Sequence, residues 1–230
     1  MPVQTNTIIR EVTPCKTIVS LKEQGYGMRN ATPSDALAVQ RLADSLDISR
    51  VDDIEKQGFL AAQYTAADYR SFIENSDISL IIEHDDGEVV GFLVAYTSER
   101  VERKDEFNMN IKKNINDHFL AVRQVFVSAM KEHRRKGLAS QLYRELYRRI
   151  LQDYCHEDRE RCVYADIVKT PINVPSRDFH WKHGFEIVGE FTRSRDNRAI
   201  YIFCNSNVAS SLKELELRML GDRQSDSSKL

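Results

Sequence analysis

The sequence predicts an α/β protein built on a mixed sheet covered by helices. Three observations carry that reading. Apolar runs of strand length alternate with amphipathic segments of helical period along most of the chain. Asp85-Asp86-Gly87-Glu88 stands between two such runs, and Asp-Gly there signals a hairpin, because the turn needs a positive φ that Gly supplies. With 41% hydrophobic and 30% charged residues over 230 positions, the chain has the balance of a globular protein able to bury a sizeable core.

Residues 1–24 are a weakly patterned arm, with 17–21 as a strand or packing segment, and organised sequence starts with a strand candidate at 26–30. Thr32, Pro33 and Asp35 mark a helix start: Thr caps free N–H groups, Pro has φ preset, and Asp opposes the positive helix end. Ala36, Val39, Ala43 and Leu46 follow at helical spacing. A second start lies at Thr65, with Asp68 three residues on and Tyr69, Phe72 and Ile73 as the apolar face. The hairpin strands are 78–82 and 89–95, and the mixed-charge stretch 98–117 reads as a solvated loop.

A long strand candidate, 119–130, leads into a helix. Leu138, Leu142, Leu146 and Ile150 form one stripe and Ala139, Tyr143, Tyr147 and Leu151 another, which together make a wide buried face. A strand at 163–168 and a short helix at 175–183 follow, the helix stopping at Gly184, where Gly suits a left-handed C-cap. Strands at 185–191 and 199–204 complete the pattern. Val208, Leu212, Leu215 and Met219 then recur at helical spacing, and the end from 222 reads as frayed. One domain is therefore expected over 25–205. The arm (1–24) and a C-terminal helix with its tail (206–230) stand outside it, the helix docking on the domain or on a second subunit of a homodimer.

Lys and Arg total 33 against 35 Asp and Glu, a net charge of −2, which argues against a generic nucleic-acid binder. No apolar run is long enough to span a bilayer, so no membrane role is expected, and the first ten residues hold no secretory signal. Cys15, Cys155, Cys162 and Cys204 are scattered without metal-ligand spacing; reduced thiols in a cytoplasmic protein, with no metal, are the expectation.

The stretch 124–139 carries the most chemistry. A strand feeds a loop with Arg134, Arg135, Lys136 and Gly137, and the loop opens directly into an amphipathic helix. Unpaired helix N–H groups, a glycine that admits close approach and three cations make an anion site suited to a pyrophosphate; the alternative is a solvated basic face. Neither a Walker Gly-Lys-Ser/Thr nor a Gly-x-Gly-x-x-Gly fingerprint is present.

Arg134-Arg135-Lys136-Gly137-Leu138-Ala139 resembles the Gln/Arg-x-x-Gly-x-Gly/Ala acyl-CoA signature of the GNAT superfamily of N-acetyltransferases. Downstream, Asn173, Ser176, Phe179, His180, Gly184 and Phe185 resemble that family's Asn-x-x-Ser/Ala-x-x-Phe-Tyr-x-x-x-Gly-Phe block. With Pro171 and His180 the match is nearest a poorly characterised bacterial branch that has a Phe-His variant. The resemblance implies a GNAT-type, mainly antiparallel sheet flanked by helices, and acetyl-CoA as acyl donor. It implies backbone contacts to the pantetheine arm at Val127 and Ala129, and a pyrophosphate on residues 134 to 139. Asn173 would meet the pantetheine or cysteamine region, with Ser176 nearby.

His180 stands where the family often has a Tyr that protonates the leaving thiolate, and an acid role or a packing role are both open to it. Some family members place a Glu base where this chain has Arg123, which cannot act as one. Asp166, the catalytic base candidate, and Gln124 are candidates to face the cleft; pairing of Asp166 with a nearby cation and a water-relayed proton path are the alternatives. Tyr96 and Tyr201 are further candidates, against cross-strand packing, while Trp181 reads as a packing residue. The resulting reading is direct acetyl transfer to a primary amine of a small molecule. A protein or peptide Lys or N-terminal acetyltransferase, and a non-catalytic acyl-CoA-binding module, are the alternatives. The acceptor is expected over 45–64, against the 98–117 loop and the last hairpin; Asp44, Asp47, Asp52, Asp53 and Glu55 make that first region acidic, which would favour a cationic amine, and a solvated helix pair is the alternative.

Overall fold

The computed structural model describes residues 21–226, apart from 52, 63, 101–118 and 155–161. The arm 1–20, nearly all of the charged 98–117 stretch, Cys15, Cys155 and the last four residues lie outside the described residues.

Alternating apolar positions fold into seven strands: β1 (Tyr26–Asn30), β2 (Ile78–His84), β3 (Val89–Thr97), β4 (Phe119–Val127), β5 (Cys162–Val168), β6 (Glu186–Arg193) and β7 (Arg198–Asn205). They form one sheet in the order β1-β2-β3-β4-β5-β7-β6. Neighbouring pairs are antiparallel except β4 and β5, which run parallel. The hairpin signal at Gly87 holds: its φ is 87°, and Glu88 N–H donates to Asp86 Oδ1 at 2.9 Å.

The helices are α1 (Ala36–Ser45), the single turn α2 (Ile54–Gln57), α3 (Ala66–Asn75), α4 (Leu138–Arg149), α5 (Val174–Lys182) and α6 (Val208–Asp226). The Thr65 start forms a reciprocal cap, with Thr65 N–H donating to Asp68 Oδ2 at 2.8 Å and Asp68 N–H to Thr65 Oγ1 at 3.2 Å.

The helices divide between the two faces of the sheet. On one face the two stripes of α4 bury Leu138, Leu142, Tyr143, Leu146 and Tyr147 against Leu80, Leu93, Leu120, Val163 and Ile167. Val208 and Leu215 of α6 join the same cluster, so this helix docks on its own chain and is part of the main core. On the other face α1 and α3 pack Val39, Leu42, Tyr69 and Ile73 against Ile81, Phe92, Val94 and Phe126.

Two irregularities in the middle of the sheet open a cleft. β3 Val94 pairs with Gln124 and Ala95 with Val122, so β4 carries one extra residue, Arg123. Because side chains alternate along a strand, that insertion swaps the faces of β4. Before it, Leu120 and Val122 face the α4 side; after it, Val125 and Val127 do, while Phe126 joins the α1–α3 cluster. In addition, β4–β5 pairing spans only Phe119↔Cys162 to Val122↔Ala165. Beyond it the two parallel strands part. Among the described residues no helix is long and apolar enough to cross a membrane.

Candidate active site

The parting of β4 and β5 leaves a cleft of about 560 Å³. One wall is β4 from Val122 to Val127, the opposite wall is β5 from Ala165 to Val168, and α5 closes one end with Asn173, Ser176, Phe179 and His180. The segment 57–62 with Tyr64, and the β6–β7 turn with Arg193, Ser194 and Arg195, close the other end.

The basic loop lies at the end of β4. Arg135 has φ 59° and Gly137 φ 73°, two left-handed residues that turn the chain sharply into α4. Gly137 is the N-cap, and no side chain caps the helix. The first helical N–H donor with an intrahelical acceptor is that of Gln141, on Gly137 O at 3.0 Å. The donors before it, with the partial positive charge of the helix end, remain available to an anion. Arg134 Nε donates to the Ala129 carbonyl, so that carbonyl, one of the two backbone positions expected to meet the pantetheine arm, is already engaged by a guanidinium. Val127 and Ala139 line the cleft. β5 does not pair with β4 at Val127, and that backbone edge is open toward the cleft.

Asn173 and Ser176 sit where β5 gives way to α5. Asn173 Oδ1 accepts the Ser176 N–H at 3.2 Å as the helix N-cap, and its Nδ2 donates to the Phe59 carbonyl at 2.8 Å. The side chain thereby ties α5 to the 57–62 segment; its amide retains one further N–H and one lone pair.

His180 is buried, 2% exposed, and both ring nitrogens are engaged. Nδ1 lies 2.7 Å from the Ser176 carbonyl, and Nε2 lies 2.8 Å from the Tyr143 hydroxyl. A carbonyl can only accept, so Nδ1 carries the proton and Nε2 accepts from Tyr143. Burial drives the imidazole from its ordinary 6.5 down to about 4, and burial holds the Tyr143 phenol well above its ordinary range. At neutral pH this histidine is uncharged, and its one ring proton is held by a backbone carbonyl. That arrangement suits the packing role, in which His180 orders α5 against α4, better than the acid role.

Asp166 lies on the cleft wall and is the only carboxylate among the described lining residues. Its charge acts on Arg193, as the cation-pairing alternative anticipated. Gln124 also lines the cleft. Tyr96 and Tyr201 do not. The Tyr96 hydroxyl donates to the Phe72 carbonyl at 3.2 Å, and Lys169 Nζ stands 5.1 Å from the centre of the Tyr201 ring. Trp181 is 41% exposed, with Arg177 stacked 4.7 Å from its ring centre.

The electrostatics of the 45–64 region differ from the sequence expectation. Asp47 is buried and accepts the Ser49 N–H at 2.8 Å, and Asp53 caps α2 and pairs with Lys56 at 2.8 Å. Asp52 lies outside the described residues, and none of Asp44, Asp47 and Asp53 lines the cleft. The charged side chains that do line that end are Arg123, Arg193 and Arg195, with Asp166. The sequence places the last hairpin beside the acceptor but singles out neither Arg193 nor Arg195, because nothing local marks which turn side chains reach a cleft; the bulge at Arg123 likewise has no local signal.

The family model for the acetyltransferase (GNAT) family matches residues 47–185, the span that contains both cleft walls and the basic loop. The chain belongs to the GNAT acetyltransferase family. As a GNAT protein it is an acyltransferase. Solved structures show the same fold at low identity. An N-acetyltransferase from Staphylococcus aureus Mu50 is 12% identical, with 79% of this chain and 97% of that one covered and a TM-score of 0.53. Arabidopsis thaliana NAA60, solved in complex with acetyl-CoA, is 14% identical over 78% and 98% of the two chains, with a TM-score of 0.54. A putative phosphinothricin N-acetyltransferase is 20% identical over 79% and 98%, with a TM-score of 0.53. No curated protein matches the sequence.

Proposed function

We propose that the protein transfers an acetyl group from acetyl-CoA directly to a primary amine of a small molecule. The observation that carries the reading is a cleft open along the β4 edge at its donor end and strapped at its acceptor end. The residues present fit the donor. The uncapped start of α4, with Arg134, Arg135, Lys136, Gly137, Leu138 and Ala139, offers the pyrophosphate backbone donors and positive charge. Val127, Ala129, Asn173 and Ser176 would hold the pantetheine arm between β4 and α5. When bound, acetyl-CoA supplies a thioester carbonyl open to attack by a neutral amine.

The acceptor end favours a small molecule because the 58–64 strap is tied down at both ends. Asn173 holds the Phe59 carbonyl at 2.8 Å, Arg198 donates to the Ala61 carbonyl at 3.1 Å, and Arg195 donates to the Tyr64 hydroxyl at 2.9 Å. A strap held in place in this way supports an acceptor small enough to enter beneath it. An amine reaches this site mainly as an ammonium ion and must lose a proton before it can attack. Neighbouring guanidiniums disfavour the ammonium form, and Asp166, a lining residue, would take the proton. His180 keeps α5, and with it Asn173 and Ser176, in register with α4.

The test is thiol release from acetyl-CoA across panels of small amines and peptides. Turnover of peptides in preference to every small amine would overturn the small-molecule reading. Binding of acetyl-CoA without turnover of any acceptor would leave a non-catalytic module.

A further inference from the structure

The loop between β4 and α4 has a shape that needs support from outside it. Arg135 and Gly137 are both left-handed, and a non-glycine residue keeps that conformation only where its surroundings hold it. Two residues before Arg135 stands a buried histidine, His133, whose side chain is 3% exposed. Its Nδ1 lies 3.0 Å from the Tyr26 hydroxyl on β1, and its Nε2 lies 3.6 Å from Glu88 Oε2 in the β2–β3 turn. A carboxylate can only accept, which assigns the proton of the neutral ring to Nε2 and leaves Nδ1 to accept from Tyr26. The sheet fixes both partners: Tyr26 pairs with His84 across β1 and β2, and the Glu88 carbonyl accepts the His84 N–H at 2.9 Å. The His84 ring packs against both, 5.3 Å from that of Tyr26 and 5.5 Å from that of His133. On the loop side the Met130 carbonyl accepts from the N–H groups of His133 and Arg134 at 3.0 and 3.1 Å. A ring held at both ends is thus joined by a tight turn to the residues that lead into α4. None of Tyr26, Glu88 and His133 lines the cleft.

We propose that His133 is a positioning residue of the donor site. Anchored by Tyr26 and Glu88, it holds the loop in the shape that presents the uncapped start of α4 to the pyrophosphate of CoA. It touches neither donor nor acceptor and acts through the backbone of residues 134–137. An anion site made of backbone N–H groups binds well only if those groups converge before the ligand arrives, and ordering them at the moment of binding lowers affinity. The hairpin turn and the first strand, both outside the cleft, therefore contribute to donor affinity. This inference rests on the acetyl-transfer reading and its placing of the pyrophosphate, and it names what keeps that site formed.

Calorimetric titration of the full-length protein with CoA, and displacement titration with pantetheine, test it without needing turnover. Pantetheine has the same arm but lacks the pyrophosphate. His133→Phe keeps a ring in the buried space and removes both polar ends, whereas His133→Gln keeps one acceptor and one donor. His133→Phe should weaken CoA binding at least about tenfold and leave pantetheine binding unchanged, and His133→Gln should recover part of the loss. Tyr26→Phe deletes one hydroxyl and Glu88→Ala changes a side chain that is 48% exposed; each should weaken CoA binding in the same sense, which keeps the test open if His133→Phe does not fold. An equal loss for CoA and pantetheine would show a purely structural role and overturn the inference. Unchanged CoA affinity in both Tyr26→Phe and Glu88→Ala would overturn it too. Arg134→Glu separates the two levels. If it removes CoA binding while the His133, Tyr26 and Glu88 variants keep theirs, the donor site stands and the positioning role falls. If it also leaves CoA affinity unchanged, the loop is not the pyrophosphate site and the donor reading falls as well.

Discussion

Acidification should destabilise this protein earlier than carboxylate titration alone would allow, because two buried histidines meet in the α4–α5 interface. Burial takes His180 from its ordinary 6.5 to about 4. Burial first, then the charges of His180, Arg218 and Lys182, takes His183 to about 3. The unfolded chain binds a proton at each ring near pH 6.5, whereas the folded chain resists protonation until the lower values. The unfolded state therefore holds more protons throughout that window, and stability must fall as pH falls. Stability is complete above 6.5 and is lost progressively toward about 4 and about 3. Between pH 7 and pH 5 each histidine contributes a loss of about 2 kcal/mol, and the coupled pair at most about 4 kcal/mol. For a chain of this size, about 4 kcal/mol corresponds to a fall in Tm of about 8–16 °C. Calorimetric melts at pH 7, 6 and 5 read this directly. His180→Gln and His183→Gln should each flatten the pH dependence, whatever they do to Tm at pH 7. A Tm that is flat from pH 7 to 5, or a slope unchanged in both variants, would refute the reasoning.

Three further outcomes follow from the geometry. Gly137→Glu and Arg134→Glu should weaken CoA binding by at least about tenfold, since each sets a negative charge at the uncapped start of α4; unchanged affinity in calorimetry would remove the pyrophosphate site. Asn173→Ala loses both the α5 cap and the tie to Phe59, so denaturant titration should show a loss of about 1–3 kcal/mol, with KM for the acceptor rising as the strap loosens. Gly184→Ala should cost about 2 kcal/mol or more, because φ is +79° there and a Cβ would stand 2.8 Å from Ser211 Oγ; a loss under about 0.5 kcal/mol would mean that α6 yields readily.

Much of the fold was legible because its signals are local. Thr65 with Asp68, Gly87 in its turn and the double stripe of α4 each announce themselves within a few residues, and the strands fell within a few residues of their predicted ends. The basic loop was legible for the same reason: Gly137 and the charges before it adjoin a helix start. The acceptor end was not. The hairpin's place beside it was expected, but its charge depends on a one-residue insertion at Arg123 and on which β6–β7 turn side chains reach the cleft, and neither leaves a periodic trace. Of the acidic run 44–55, Asp47 and Asp53 turn to backbone N–H groups of their own turns and, like Asp44, do not line the cleft, which favours the solvated alternative over an acidic acceptor wall. The sequence left His180 open between an acid and a packing role; burial, invisible in one dimension, weighs for packing.

The fully buried Asn205 gives the end of the chain a hold on the cleft. Its Nδ2 lies 3.0 Å from the carbonyl of His183, just past α5, 2.8 Å from Ser211 Oγ on α6 and 3.1 Å from the Tyr147 hydroxyl on α4. One amide thus binds three helices. A proteolytic nick or a truncation just after residue 205 would leave every lining residue in place, yet it would unseat Ser211, Val208 and Leu215 and expose that amide to solvent. The helix that carries Asn173, Ser176 and His180 would then lose its rear anchor. The last helix thus stands behind the cleft as a structural support, joined to it through a single buried amide.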